Sequence, residues 1–295
     1  MTTINAGITG TRVHVLGSGT PTPTPQRFGS SFAVQVGDQT LMVDCGPAAT
    51  AKLVQAGLWP TRVSELFITH HHFDHSVDLP CFLLTRWDQS IGAEATLRIR
   101  GPQPTEWVVD RLIGPQGAFH HDWQARINWV SSQRVFVNRG GTLPRPAPSF
   151  DVKDIVVGDV ETGPGWTMRT GLARHAQPWL DSIAYRLETE QGSIVFTGDT
   201  EPCDEIVELS AGADLMFCMC WDNQSDMDEC GESTGQCGTD GAAGMAEKAG
   251  VKRLVLVHTG PAVSRPDSRA AAVRHVSEIF HGEIVFADEL MAIDL

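Results

Sequence analysis

The chain of 295 residues has 41% apolar and 20% charged residues and a formal charge of −14, values typical of a globular protein of one or two domains. Because neutralising phosphates supplies most of the affinity of nucleic-acid-binding proteins, the acidic balance counts against a polynucleotide substrate. Seven irregularly spaced cysteines favour reduced thiols, and neither a signal peptide nor a membrane span is predicted. We therefore expect a cytoplasmic protein.

The first half of the chain predicts short strands, each followed by a loop or a helix. A strand at 12–16 leads into a loop rich in glycine and proline, which excludes a helix there. The next elements are a hairpin of 31–36 and 40–43, a helix at 48–57, an apolar strand at 66–69 and a helix from about 76 to 89. The aromatic-rich region 101–150 is less regular, and we expect an insert or lid there within one domain spanning 1–295.

The second half repeats this order of strands and helices. Strands are predicted at 155–160, 166–173, 182–188, 193–197, 213–219, 253–257, 283–286 and 291–293. Helices are predicted at 204–211, 242–249 and 267–280, the last capped by Asp267 or Ser268, and an acidic loop at 222–237. This alternation predicts two packed sheets with helices outside them, an α/β architecture.

The strongest chemical signal is a run of histidine and aspartate between an apolar strand and a helix. It reads Thr69-His70-His71-His72-Phe73-Asp74-His75. His70 and His72 are one residue apart, so an extended backbone directs both imidazoles to the same side. Imidazole and carboxylate are ligands that suit zinc, and they also accept iron or manganese.

Three later residues also stand at the ends of predicted strands. His175 follows the strand 166–173, Asp199 follows an apolar strand in Thr197-Gly198-Asp199, and His258 follows the strand 253–257. Each alone is more often a capping or hydrogen-bonding residue. Together with the first motif, they form a set of metal-ligand types.

In this order the residues resemble the metallo-β-lactamase superfamily, in particular its ribonuclease Z and arylsulfatase-like branch. The opening 16–21, with Arg27 and the Ser30-Ser31 pair, and the segment 41–46 also resemble that branch. The resemblance runs from residue 13 to residue 295. It implies a four-layer αββα sandwich with an inserted aromatic-rich segment, and a homodimer.

The resemblance also implies a site of two zinc ions. His70, His72 and His175 would hold the first ion, and Asp74, His75 and His258 the second. Asp199 would bridge both ions, and Asp74, His75 and Asp199 would take part in catalysis. Asp44 would orient a ligand imidazole, while His71 would point away.

The resemblance fails at two positions. Ribonuclease Z enzymes carry a Glu after the strand that matches 213–219 and a His before the helix that matches 242–249. Here these regions contain Trp221 and Cys237. Trp221 and Trp179 are therefore candidate substrate contacts, and Cys237 is a candidate for the acid position.

These observations predict a dinuclear zinc hydrolase in which a zinc-bound hydroxide attacks a small ester-type substrate: a phosphodiester, an aryl sulfate or a lactone. Nucleic acid and membrane are not expected as partners. Three alternatives stay open: a ribonuclease Z-like phosphodiesterase, hydrolytic displacement on an activated aromatic ring, and a catalytically silent scaffold. The phosphodiesterase would use an acid such as Asp222, Asp226, Asp228 or Glu232 in place of the missing pair.

Overall fold

A computed structural model describes residues 10–295. Its strands in chain order are β1 (Thr11–Gly17), β2 (Ser31–Val36), β3 (Gln39–Val43), β4 (Val63–Phe67), β5 (Arg98–Gly101), β6 (Asp151–Asp154), β7 (Val160–Gly163), β8 (Trp166–Leu172), β9 (Ile183–Thr189), β10 (Gly192–Phe196), β11 (Leu215–Met219), β12 (Arg253–Val257), β13 (Glu283–Phe286) and β14 (Ala292–Asp294). The α-helices are α1 (Ala49–Gln55), α2 (Phe73–Ser76), α3 (Leu79–Gln89), α4 (Thr105–Ile113), α5 (His120–Asn128), α6 (Val130–Asn138), α7 (Asp204–Ser210), α8 (Gln224–Cys230), α9 (Thr239–Ala249) and α10 (Pro266–Ile279).

The strands form two seven-stranded sheets; β1–β6 and the last strand, β14, form the first, and β7–β13 form the second. The first has the order β14-β1-β2-β3-β4-β5-β6 and the second β13-β12-β11-β10-β9-β8-β7. β3, β4 and β5 run parallel in the first sheet, and β10, β11 and β12 run parallel in the second. Loops that follow parallel strands leave at the same edge, so each sheet gathers its strand-end residues at one place.

Three apolar layers hold these sheets and helices together. Between the sheets, Phe32, Phe196 and Phe217 pack with ring centroids 5.0–5.4 Å apart. Outside the first sheet, Leu53 of α1 and Phe82 of α3 pack on its strands, and α7, α9 and α10 cover the second sheet. The result is the predicted four-layer αββα sandwich.

The segment between β5 and β6 is more regular than predicted. It contains α4, α5 and α6, and Trp123 and Ile113 anchor it to the core of the first sheet. Its helices are short and their apolar positions are widely spaced, which hides their period in the sequence. The role of 101–150 as a lid, and the single-domain boundary of 1–295, stay predictions.

Other differences are local. The predicted strand 155–160 is instead a turn between β6 and β7, and the acidic loop 222–237 includes α8. The last long helix begins at Pro266 after Arg265, not after Asp267 or Ser268, because proline fits the first helical position without needing its N–H. Within residues 10–295, no helix combines the length and apolarity that a membrane span requires.

Candidate metal centre

The His70–His75 segment follows β4, at the edge of the first sheet where its parallel strands end. The chain leaves β4 at Phe67, and α2 begins at Phe73, so that Asp74 and His75 occupy a single helical turn. Gly29 and Gly46 approach the backbone of Asp74 so closely that a Cβ on either would lie 2.2 Å from its carbonyl oxygen. Asp74 and His75 are buried, with 1% of each residue exposed.

Three histidines converge on one point. Nδ1 of His72 lies 3.1 Å from Nε2 of His70 and 3.1 Å from Nε2 of His175. His175 comes from the loop after β8 of the second sheet, so this cluster joins the two sheets. Asp199 completes it, with Oδ2 3.8 Å from Nε2 of His175 and 4.0 Å from Nε2 of His70.

A second cluster lies beside the first. Nε2 of His258 is 3.2 Å from Oδ2 of Asp74, and Nε2 of His75 is 3.6 Å from the same oxygen. Asp199 also reaches this cluster: its Oδ2 lies 3.2 Å from Nε2 of His258 and its Oδ1 3.4 Å from Nε2 of His75. The Asp199 carboxylate therefore stands between the two clusters.

Buried polar atoms in this centre lack protein partners. Nε2 of His75, Oδ1 of Asp74 and Oδ1 of Asp199 are buried without a hydrogen bond. Unpaired buried polar atoms are costly, and imidazole nitrogens at 3.1 Å repel unless a proton or a cation lies between them. The donor set, nitrogen and carboxylate oxygen, fits zinc and similar divalent ions.

The electrostatics favour the protonation states of ligands for part of the set. Burial lowers the pKa of His70 well below its usual range, an effect that nearby His75 reinforces. For Asp199, burial opposes ionisation, but His258 and His75 together hold the pKa of the carboxyl well below its usual range. A neutral imidazole and an ionised carboxylate are the forms that bind a metal.

These residues and their order match a known family. The metallo-beta-lactamase superfamily model matches residues 24–219. The chain belongs to the metallo-beta-lactamase superfamily.

Relatives in this superfamily match nearly the whole chain. Ribonuclease Z of Mycobacterium bovis (strain BCG / Pasteur 1173P2) is 30% identical over 292 residues, which is 96% of this chain and 98% of the relative. Ribonuclease Z of Mycolicibacterium gilvum (strain PYR-GCK) is 32% identical over 293 residues, or 94% of each. Both are therefore similar to this chain from end to end.

Solved structures of the superfamily share the fold. The metallo-beta-lactamase fold protein YhfI from Bacillus subtilis gives a TM-score of 0.72 at 21% identity, covering 97% of this chain and 99% of YhfI. The short form of human tRNase Z gives 0.67 at 20% identity, covering 96% and 98%. At these identities the likeness concerns the fold alone.

The relatives correct one prediction. We expected a small-molecule substrate and no nucleic acid, and this is wrong because the relatives named ribonuclease Z match almost all of the chain. The net charge was a poor guide because it sums over the whole surface, whereas a polynucleotide substrate would contact only part of that surface. The homodimer stays a prediction.

Hydrogen bonds orient the ligand rings from outside. Asp44 Oδ2 lies 2.7 Å from Nδ1 of His75, and its Oδ1 accepts the Thr69 N–H at 2.7 Å. The Thr69 hydroxyl donates to Asp44 and so accepts from Nδ1 of His70, 3.1 Å away. Nδ1 of His175 donates to the Gly235 carbonyl at 2.6 Å. In all three rings these bonds leave Nε2 free to bind a metal.

Two of these partners were missed in the sequence. Thr69 stands next to the histidine motif and has a hydroxyl that can accept a hydrogen bond from a histidine ring, so the sequence could have indicated its role. Gly235 contributes only its carbonyl oxygen, which any residue possesses, so no sequence pattern could have indicated it. His71 turns away from the centre, as the resemblance implied, and its Nε2 lies 2.8 Å from the Thr105 hydroxyl.

The two positions where the resemblance fails are neighbours in space. The backbone N–H of Trp221 donates to the backbone carbonyl of Cys237 at 2.9 Å. The Trp221 ring lies beside a metal ligand, with its centroid 5.9 Å from that of His258. The Cys237 side chain instead packs in the buried cluster under α9, where contact with Cys218 and burial raise its thiol pKa well above the usual range. A role for Cys237 as an acid stays a prediction.

The remaining predicted contacts are more dispersed. Trp179 is 91% exposed on the loop that carries His175. Of the four acids considered as substitutes for the missing pair, Asp226, Asp228 and Glu232 are exposed, and only Asp222 is half-buried. Burial raises the pKa of Asp222, which lies in the loop between β11 and α8.

Proposed function

We propose that this protein is a metal-dependent phosphodiesterase that hydrolyses RNA and holds two zinc ions. The position of Asp199 carries the proposal, because its carboxylate lies within 4.0 Å of ligand nitrogens in both clusters. Such a carboxylate can be shared by two cations. The relatives named ribonuclease Z support RNA as the substrate. Seven free cysteines support a reducing compartment such as the cytoplasm.

Divalent ions held by the two clusters would supply a strong nucleophile from water and would stabilise charge on the phosphodiester oxygens. The chain fixes the geometry in which this happens. Asp44 and Thr69 hold the rings of His75 and His70, so their Nε2 atoms point inward before substrate arrives. Fixed donors and acceptors of this kind cost no reorganisation during the reaction.

Asp74 supplies a proton acceptor in the same place. Its Oδ2 faces His258 at 3.2 Å, whereas its Oδ1 is buried without a hydrogen-bond partner. Oδ1 can therefore accept a hydrogen bond from the attacking water and orient it toward phosphorus. His75 and Asp199 complete the set of residues that we expect to take part in catalysis.

The test is cleavage of an RNA hairpin with a single-stranded 3′ extension by the zinc-loaded protein. We expect cleavage that a chelator abolishes and zinc restores. His72→Gln and His71→Gln form a matched pair, since the two residues are adjacent but only His72 faces the centre. His72→Gln should lose cleavage and zinc, and His71→Gln should keep both. Absence of RNA cleavage at full zinc content would overturn the proposal.

A further inference from the structure

Three aromatic side chains lie on or beside the segments of the centre: Phe73 and Trp179 on segments that carry its histidines, and Trp221 against His258. Phe73 stands between His72 and Asp74 and is 57% exposed. Trp179 follows His175 by four residues and is almost fully exposed. Trp221, described above, is half-buried, with its ring tilted by 31° to that of His258.

Trp221 is held as a fixed surface. Its N–H donates to Cys237, and its carbonyl accepts the Gly260 N–H at 2.8 Å, so the backbone is tied on both sides. The side chain packs against the apolar cluster under α9 and stays partly exposed. A ring held in this way offers its exposed part at little conformational cost.

A groove adjoins the His175 side of the centre. Its volume is about 520 Å³, and its lining includes Gln177, Asp181 and Ser182 of the His175 loop. Asp154, Val156 and Val157 also line it. The lining has two carboxylates and no lysine or arginine. It therefore repels phosphate, but it suits a flat apolar group with N–H donors at its edge, such as a nucleobase.

We propose that unpaired nucleotides enter the metal centre with their bases stacked on Trp179, Phe73 and Trp221, and with a base in the adjoining groove. The inference rests on the proposed RNA phosphodiesterase activity. Stacking on an aromatic side chain strengthens the binding of each base and tolerates any base, because every base has an aromatic face. It requires few cations, so a chain of charge −14 can hold RNA by this means. Paired RNA cannot bind in this way, because its bases are already stacked on one another.

The experiment compares Trp179→Ala and Trp221→Leu with Trp59→Ala. Trp59 is 60% exposed and precedes β4, at the end of that strand opposite His70, so it controls for loss of a surface tryptophan. With zinc-loaded protein and a single-stranded ten-nucleotide RNA, we expect KM to rise about tenfold for each site variant. Zinc content should not change, and Trp59→Ala should behave as the wild type.

Binding is followed separately by fluorescence anisotropy of a labelled phosphorothioate RNA that resists cleavage. The affinity should fall only gently with salt, with a log–log slope of about −2 or shallower, because few phosphates are neutralised. Unchanged KM in both site variants, or an equal loss on duplex RNA, would overturn the stacking site. If the wild type binds this RNA but cleaves none, the proposed function fails. The affinities of the wild type and the two site variants for this RNA then still test the stacking site.

Discussion

The Asp44 carboxylate contacts the His75 imidazole on the side away from the metal centre. Its Oδ2 lies 2.7 Å from Nδ1 of the imidazole, and both residues are buried. Asp44 adopts a left-handed backbone conformation with φ of 60°, which asparagine tolerates well. Asp44→Asn should therefore fold, yet it replaces a charged acceptor with an amide. We expect zinc affinity to fall about 10–100-fold.

Competition with a chromogenic chelator measures this affinity. Asp214→Asn is the control, because Asp214 also accepts a backbone hydrogen bond, from Ser193, but lies at the opposite end of β11. Wild-type affinity in Asp44→Asn would show that the carboxylate charge does not support His75.

Asp199→Asn should lower both zinc stoichiometry and activity. The amide keeps the shape of the side chain but cannot supply two anionic oxygens to two cations. We expect fewer than two zinc ions per chain by elemental analysis and a loss of RNA cleavage of at least 100-fold, in line with the loss of a key charge-stabilising group. Two full equivalents of zinc in this variant would refute the shared position of Asp199.

Gly46→Ala should damage the centre through the backbone alone. The added Cβ would lie 2.2 Å from the Asp74 carbonyl oxygen and 2.7 Å from that of Ser30, so Asp74 must move. We expect weaker zinc binding and a lower melting temperature. Gly244→Ala in α9 meets nothing within 4 Å and should instead stabilise the fold by roughly 0.5–1 kcal/mol. Thermal melts and zinc titrations of the two variants measure these effects. A wild-type melting temperature and zinc affinity for Gly46→Ala would contradict the prediction.

Glu65 should make stability depend on pH. Burial raises its pKa to about 7, against the opposing effect of Arg98 and Arg100. Its contact with Arg98 is long, at 3.3 Å, and its Oε2 has no partner, so burial outweighs the ion pair. Between about pH 4.5 and 7 the unfolded chain releases this proton while the folded chain keeps it, so stability falls as pH rises.

Urea denaturation across pH 4.5–8 should show this slope in the wild type, and Glu65→Gln should reduce it. The control is Glu188→Gln, which changes a carboxylate in a surface ion pair with Arg169. An identical pH dependence for the wild type and Glu65→Gln would contradict the raised pKa.

Cys237→Ser should reduce stability more than activity. The substitution places a hydroxyl in the apolar cluster under α9, at a cost of about 1–3 kcal/mol. Exposed Cys230→Ser is the control and should change little. A selective loss of rate on substrates with poor leaving groups, at unchanged stability, would instead show that Cys237 acts as a proton donor.

The sequence predicted most strands, and it singled out the residues that the structure gathers into two His/Asp clusters, for a physical reason. Apolar runs such as 253–257 are bounded by polar residues, and ligands such as His258 directly follow such runs. The helices of 101–150 and the short α8 were not predicted, because such helices are positioned by contacts with residues distant in sequence, as Trp123 is by the core of the first sheet, rather than by a local period. The contact of His175 with the Gly235 carbonyl was not predicted, because every residue has a backbone carbonyl and the residue type gives no indication of it. Substrate class was misjudged from net charge, which averages over surfaces that RNA would not touch.

The residues of the centre come from both sheets: His70, His72, Asp74 and His75 follow β4, whereas His175, Asp199 and His258 follow β8, β10 and β12. An ion bound there would connect the two sheets, which otherwise meet mainly through an apolar layer. A metal ion that binds only the folded state stabilises that state by mass action. The supply of zinc would then govern the resistance of this protein to proteolysis, and metal-starved cells would lose the protein itself along with its activity.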